Sequence, residues 1–227
     1  MSHKDHDFHS HEHTLQSELV HHLPYAIFSV AFALSILSFL TFISRGFGDP
    51  TVMNKGYKML FHAFHFMHLV FAATGTVVMY RRFSKSIGFA ILIGIFSPII
   101  FCTLSDSILP YLGGRALGVD MHFHLCFITE LKNVIPFLIV GIINGLILSS
   151  HHASRQGFYS VFSHAIHIFV SSLAATTYIV AHGFSDWYKQ IGAVFIFIII
   201  AVVIPCTLSD VVVPMRFAKA RHKDEKH

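Results

Sequence analysis

The chain has 227 residues, of which 54% are apolar, 12% are charged and 24 are phenylalanine, and its mean hydropathy is +0.62. A soluble domain carries charge on roughly a quarter of its residues, because its surface must meet water. The low charge content excludes a soluble globular domain and indicates an integral membrane protein. The formal net charge of +4 suits anionic lipid headgroups and gives no indication of nucleic-acid binding.

The first 22 residues form a polar, histidine-rich segment without the basic start and the apolar stretch of a secretory signal. We therefore expect the first apolar segment to remain as a membrane helix. Histidine-rich tracts of this kind are typical of weak metal binding, but a polar tail without any ligand has the same composition. The tail histidines are His3, His6, His9, His11 and His13.

Six apolar segments follow, each close to the roughly 20 residues that a membrane-spanning helix needs. Helix is the expected structure, because an open sheet cannot satisfy its backbone hydrogen bonds in lipid. The fourth segment is the least regular, since Glu130 and Lys132 lie in its first part. The six predicted spans are Leu23–Ile43, Met59–Tyr80, Ile87–Leu104, Leu125–Leu148, Val161–Ala181 and Ile191–Leu208.

The basic residues of the loops and tails predict the orientation. Ten lysines and arginines lie on the side of both termini, and five lie on the other side. Basic residues are enriched in cytoplasmic loops. We therefore expect both termini in the cytoplasm and a chain that is integral to a plasma or inner membrane.

The two halves of the chain match each other in four motifs that recur in the same order. The first three pairs are separated by 102 residues and the fourth by 104, and each copy of the fourth is followed four residues later by a proline. Such agreement indicates a duplication. The pairs are His22-Leu23 with His124-Leu125, His62-Ala-Phe-His65 with His164-Ala-Ile-His167, Ala72-Ala-Thr74 with Ala174-Ala-Thr176, and Cys102-Thr-Leu-Ser-Asp106 with Cys206-Thr-Leu-Ser-Asp210.

Three spans per repeat is an odd number, so the second half is expected to run inverted relative to the first. The predicted fold is an all-α integral membrane protein with six transmembrane helices in a 3+3 inverted repeat, a plan common among secondary transporters. The expected organisation is a histidine-rich cytoplasmic tail at 1–22, repeats at 23–120 and 121–214, and a basic cytoplasmic tail at 215–227. This arrangement predicts two equivalent polar clusters, one towards each membrane face.

The repeated histidines and aspartates are the candidate functional residues, because an ionisable group at membrane depth is costly unless it is paired. Histidines at positions i and i+3 share one helical face and offer two imidazoles to one ion. With an aspartate or a cysteine they form a mixed ligand set that suits zinc, nickel, cobalt or iron. A histidine near a helix end also hydrogen-bonds to a backbone carbonyl without any ligand. The predicted metal-site residues are His62, His65, His68, Asp106, His164, His167 and Asp210.

The first functional hypothesis is a transporter for a divalent transition metal, with the lipid bilayer as its surroundings and the metal ion as its substrate. The alternative is a b-type dihaem protein that carries electrons across the membrane. There, His124 would lie opposite His62 or His65, and His22 opposite His164 or His167. A histidine-rich di-iron oxidase ranks third, because its histidines would have to gather on one face. The sequence leaves open a homo-oligomer or a larger membrane complex.

Overall fold

A computed structural model describes residues 15–47, 49–150 and 156–224. Within those ranges the chain is helical apart from short connections and contains no strand. The helices are α1 (Leu15–Phe47), α2 (Pro50–Phe83), α3 (Ile87–Thr103), α4 (Leu109–Ala116), α5 (Cys126–Thr129), α6 (Leu131–Ser150), α7 (Gln156–Ala181), α8 (Ile191–Thr207) and α9 (Val213–Asp224). Two π-helical turns, the first at Leu104–Ile108 and the second at Leu208–Val212, connect α3 to α4 and α8 to α9.

Six of the described helical stretches are long and apolar enough to cross a membrane, which confirms the membrane-spanning character predicted from the sequence. Helix α1 begins at Leu15, so it includes the last third of the segment predicted as a polar tail. The five tail histidines lie outside the described residues. Large apolar side chains such as Phe28, Phe39 and Phe96 are exposed on the outside of the bundle, where lipid would cover them.

The predicted fourth span differs from the observed helix at its start. The structure has two helices where the sequence predicts one that begins at Leu125. The short helix α5 ends at Thr129, Glu130 is not helical, and α6 begins at Leu131. The backbone carbonyl of Glu130 accepts the first hydrogen bonds of α6, from Asn133 and Val134. The charged residues therefore lie at the start of the spanning helix rather than inside it, which lowers the cost of placing them near lipid.

Each copy of the Cys-Thr-Leu-Ser-Asp motif forms the same local structure. In both copies the last three motif residues begin a π-turn, closed by the Leu109 amide on the Leu104 carbonyl and by the Val213 amide on the Leu208 carbonyl. A proline follows each closing residue, and a proline has no amide hydrogen to continue an α-helical ladder. Turns of this kind are frequent at functional sites, and each of the two contains a buried aspartate.

Helices α2 and α7 occupy the middle of the bundle and pack against each other. Helix α6 approaches α2 closely because it presents glycines: a Cβ on Gly141 would lie 2.6 Å from the Val70 carbonyl oxygen, and one on Gly145 would lie 2.8 Å from the Val77 Cβ. The hydroxyl of Thr74 donates to the Gly141 carbonyl at 3.0 Å. Close contact between small residues stabilises helix pairs in membranes, so the glycines position α2.

Candidate metal centre

The middle of the bundle contains a carboxylate that binds two imidazole rings. Asp106 lies in the first π-turn and is fully buried. Its Oδ2 accepts hydrogen bonds from Nδ1 of His65 at 2.8 Å and from Nδ1 of His68 at 2.7 Å. Its Oδ1 accepts from the hydroxyls of Ser105 at 2.7 Å and Ser171 at 2.9 Å. Four donors therefore stabilise a charged carboxylate at a depth where an unpaired charge is costly.

A second carboxylate occupies the corresponding place in the other half. Oδ2 of Asp210 accepts from Nδ1 of His167 at 2.5 Å and lies 3.4 Å from Nδ1 of His164. Among the described residues, the buried Oδ1 of Asp210 and the buried Nε2 of His164 have no hydrogen-bond partner. Gly75 on α2 provides the space, because a Cβ there would lie 2.9 Å from Asp210 Oδ2.

The two halves meet at a pair of imidazole nitrogens. Nε2 of His68 lies 2.6 Å from Nε2 of His167, and both side chains are buried. Because each Nδ1 donates its proton to a carboxylate, each neutral ring presents a lone pair at Nε2. Two lone pairs at this distance repel each other. A positive charge between the nitrogens, either a proton or a metal ion, therefore stabilises the arrangement.

Two thiols lie beside this nitrogen pair. Sγ of Cys102 and Sγ of Cys206 are each 3.7 Å from Nε2 of His68, and both cysteines are buried. The ligand atoms of His68, His167 and Cys206 lie within 4.8 Å of one another. This set, with Cys102 next to it, is named the central group.

A second collection of histidines, named the loop-side group, lies where residues 117–125 pack against the end of α7. It consists of His62, His124, Cys126 and His182. Nε2 of His62 lies 3.3 Å from Nε2 of His124, and the ligand atoms of these two histidines and Cys126 lie within 4.8 Å of one another. The ring of His182 stacks on the ring of His124 with centroids 5.3 Å apart.

Burial controls the protonation of the loop-side group. It lowers the pKa of His124 and lowers the pKa of His182 to about 4, so both imidazoles are neutral near pH 7. Burial also raises the pKa of the Cys126 thiol to about 12, so the thiol keeps its proton when no cation is near. Neutral imidazoles are the form that binds metal ions.

The corresponding pair on the side of the chain termini is His22 and His164, named the terminal-side pair. The ring centroids are 4.2 Å apart, and Nδ1 of His22 donates to the backbone carbonyl of Glu18. The repeat places Pro24 where the loop-side group has Cys126, so no thiol accompanies this pair. The two ends of the histidine series thus differ in chemistry.

The structure joins most of the candidate residues named from the sequence in one series of direct contacts instead of two separate clusters. The series consists of His65, Asp106, His68, His167, Asp210, His164 and His22. The pair formed by His62 and His124 lies beside the His65 end, where the Phe61 ring contacts both His65 and His124. The connection through His68 and His167 results from the packing of α2 against α7, which the sequence does not reveal.

Three residues of the site have no signal in the sequence repeat. Cys126, Ser171 and His182 correspond to positions occupied by proline, leucine and tyrosine in the first half. Because the sequence argument relies mainly on residues present in both halves, it passes over these three. One sequence signal could have identified His182: it stands at the end of a predicted span, directly before Gly183. In the structure Gly183 has a φ of +123° and forms the turn that follows α7.

Comparison of the chain with protein-family models, with curated proteins and with solved structures gives no significant match.

Proposed function

We propose that the chain is a transporter for a divalent transition-metal ion, and that it works as two inverted three-helix repeats that share one binding site at their junction. The observation that carries this proposal is the contact between His68 Nε2 and His167 Nε2, each ring being held from behind by a buried aspartate. A carboxylate that orients a histidine from its far nitrogen is the usual support of a metal-binding imidazole.

The distances around the central group suit a small tetrahedral ion. With metal–nitrogen bonds of about 2.0–2.1 Å and metal–sulfur bonds of about 2.3 Å, a ligand nitrogen and a ligand sulfur lie about 3.6 Å apart. Each cysteine Sγ is 3.7 Å from His68 Nε2. Two ligand nitrogens of one ion lie about 3.3 Å apart, so binding requires the His68 and His167 rings to separate by about 0.7 Å. Mixed nitrogen and sulfur ligands favour zinc and cobalt over magnesium or calcium.

Transport rather than a fixed structural ion is supported by the histidines on either side of the central group. They continue for about 9 Å along α2, from His68 to His62, and for about 4.5 Å along α7, from His167 to His164. The unpartnered atoms His164 Nε2 and Asp210 Oδ1 lie on this series. A passing cation would satisfy both. A structural ion would need only the central ligands.

The inverted repeat supplies a mechanism for moving the ion. In transporters of this plan the two repeats rock against each other around one site, so that the site opens to one side at a time. Here α2 of the first repeat and α7 of the second carry the two central histidines. A small rotation between these helices separates His68 from His167 and exposes the site towards the loop-side group or the terminal-side pair.

A dihaem electron carrier is the second candidate, and it is favoured by the pairing of His62 with His124 and of His22 with His164. These are the pairs that two bis-histidine haems would use. The ring centroids within the pairs are only 5.4 Å and 4.2 Å apart. A flat macrocycle between them would require α2 and α7 to move away from the loop and from α1, whereas a metal ion requires only a side-chain adjustment.

Metal analysis of the purified protein tests the proposal. We expect zinc, cobalt or nickel at near-integral amounts per chain, measured by plasma mass spectrometry after purification in mild detergent without chelator. The variants His68→Gln and His167→Gln should each reduce this content. The exposed His122 provides the control, because His122→Gln should retain it. A coloured sample with about two irons per chain would support the haem candidate and overturn the transporter proposal.

A further inference from the structure

The loop-side group is separate from the central group and has its own set of ligand atoms. We propose that His62, His124 and Cys126 form a second metal site, which takes a divalent ion of the zinc or cobalt type. The idea that this site passes its ion to the central group rests on the proposed transport function. The idea that the site binds an ion depends only on the positions of its own ligand atoms.

The two imidazole nitrogens already have the separation that one ion requires. Two nitrogens that bind one tetrahedral ion at about 2.0–2.1 Å lie about 3.3 Å apart, and His62 Nε2 lies 3.3 Å from His124 Nε2. The buried Sγ of Cys126 lies within 4.8 Å of a ring nitrogen of each histidine and supplies a third ligand after a small shift towards the ion. Two nitrogens and one sulfur are the ligand types that zinc and cobalt prefer.

The surroundings hold these side chains in place. The imidazole of His62 stacks on the ring of Phe66, with the centroids 5.8 Å apart. The backbone amide of His124 donates to the Tyr178 hydroxyl at 3.2 Å, and the His182 ring stacks on the His124 ring. A site with such outer partners is built before the ion arrives, so little ordering entropy is lost on binding.

Three protein ligands leave one coordination position open. An open position is typical of zinc sites that exchange a ligand, whereas structural sites have four protein ligands. His62 and His124 are half-buried, whereas the residues of the central group are fully buried. The terminal-side pair has no thiol, because Pro24 occupies the position of Cys126. The loop-side site therefore binds the ion more strongly than its counterpart at the other end of the series.

The three cysteines of the chain allow a specific test. In the variant Cys102→Ser/Cys206→Ser the only thiol is Cys126, so any thiolate-to-cobalt charge-transfer absorption must come from the loop-side site. We expect a titration with Co²⁺ to saturate this band at one ion per chain. Adding His124→Gln should abolish the band, and adding His122→Gln should leave it unchanged. A folded double variant without the band would overturn the proposal.

If the double-serine variant does not fold, the single variant Cys126→Ser answers the same question. Near-ultraviolet circular dichroism of the buried Trp187, the only tryptophan of the chain, reports the folded state. We expect Cys126→Ser to lose one of two bound Co²⁺ ions per chain, whereas an unchanged ion count and spectrum would refute the site. If the protein does not transport metal but still shows the thiolate-to-cobalt absorption of Cys126, the proposed function would be refuted and this site would not.

Discussion

The substitution Asp106→Asn tests the role of the buried carboxylate at the centre of the bundle. Asparagine has nearly the same size and keeps one oxygen that accepts from both His65 and His68. Its amide group replaces Oδ1 and donates to the hydroxyls of Ser105 and Ser171 after these rotate. The number of hydrogen bonds is therefore preserved, and the charge is lost.

The magnitude of this change comes from the two imidazole contacts at 2.8 and 2.7 Å. A hydrogen bond to a charged group contributes about 1.5–3 kcal/mol and a neutral one about 0.5–1.5 kcal/mol. The two weakened imidazole bonds alone lower the free energy of unfolding by about 2–3 kcal/mol. Loss of a carboxylate behind a metal-binding histidine lowers metal affinity by about 10- to 100-fold.

The assay is a Co²⁺ titration of the purified protein in detergent, followed through the absorption of the cobalt bound at the central group, together with denaturant unfolding of the metal-free protein. Asp120→Asn is the matched control, because Asp120 is exposed and pairs with Arg115 at the surface. An Asp106→Asn protein that binds Co²⁺ with the affinity of the wild type would refute the reasoning.

Three further substitutions and one control test individual contacts and the buried His182. Gly75→Ala places a methyl group 2.9 Å from Oδ2 of Asp210, so Co²⁺ affinity at the central group should fall by about tenfold although no ligand changes. Gly141→Ala places a methyl group 2.6 Å from a backbone oxygen of α2, and such overpacking should lower the unfolding free energy by about 1–3 kcal/mol. Gly56→Ala is the control for both, because no atom lies within 4 Å of its Cβ position. It should lower neither quantity, since alanine favours the interior of a helix over glycine. Burial lowers the pKa of His182 from 6.5 to about 4, so the unfolded chain binds more protons between those pH values. The metal-free protein should lose stability as the pH falls from 6.5 towards 4, and His182→Gln should reduce this loss in chemical denaturation. An equal loss in the two proteins would contradict the burial argument.

Much of the helical framework was predictable because membrane spans depend on length and apolar content. The exceptions have local causes. Helix α1 begins at Leu15, eight residues before the predicted start of the first span at Leu23. The residues between these two positions include no proline or glycine that would end a helix, and Pro24 lies within the helix. The fourth spanning helix begins at Leu131 rather than at the predicted Leu125, because the helix is interrupted at Glu130.

The candidate site was predictable mainly where the repeat marks it, and His68 was added by its place three residues after His65. His65, Asp106, His167 and Asp210 occur in both halves, and the sequence therefore identifies them. The distance between His68 and His167 depends on how closely α2 and α7 pack, and His68 has no counterpart in the second half. A comparison of the two repeats cannot identify functional residues that occur in only one of them.

Uptake of metal into vesicles tests the central claim most directly. Protein reconstituted into liposomes that contain a zinc-sensitive fluorescent chelator should admit Zn²⁺ faster than protein-free liposomes. His68→Gln/His167→Gln should reduce the rate to that of protein-free liposomes, and His122→Gln should retain the wild-type rate. A wild-type protein that binds zinc at the central group but transfers none, or a double variant that transfers it at the wild-type rate, would contradict the account.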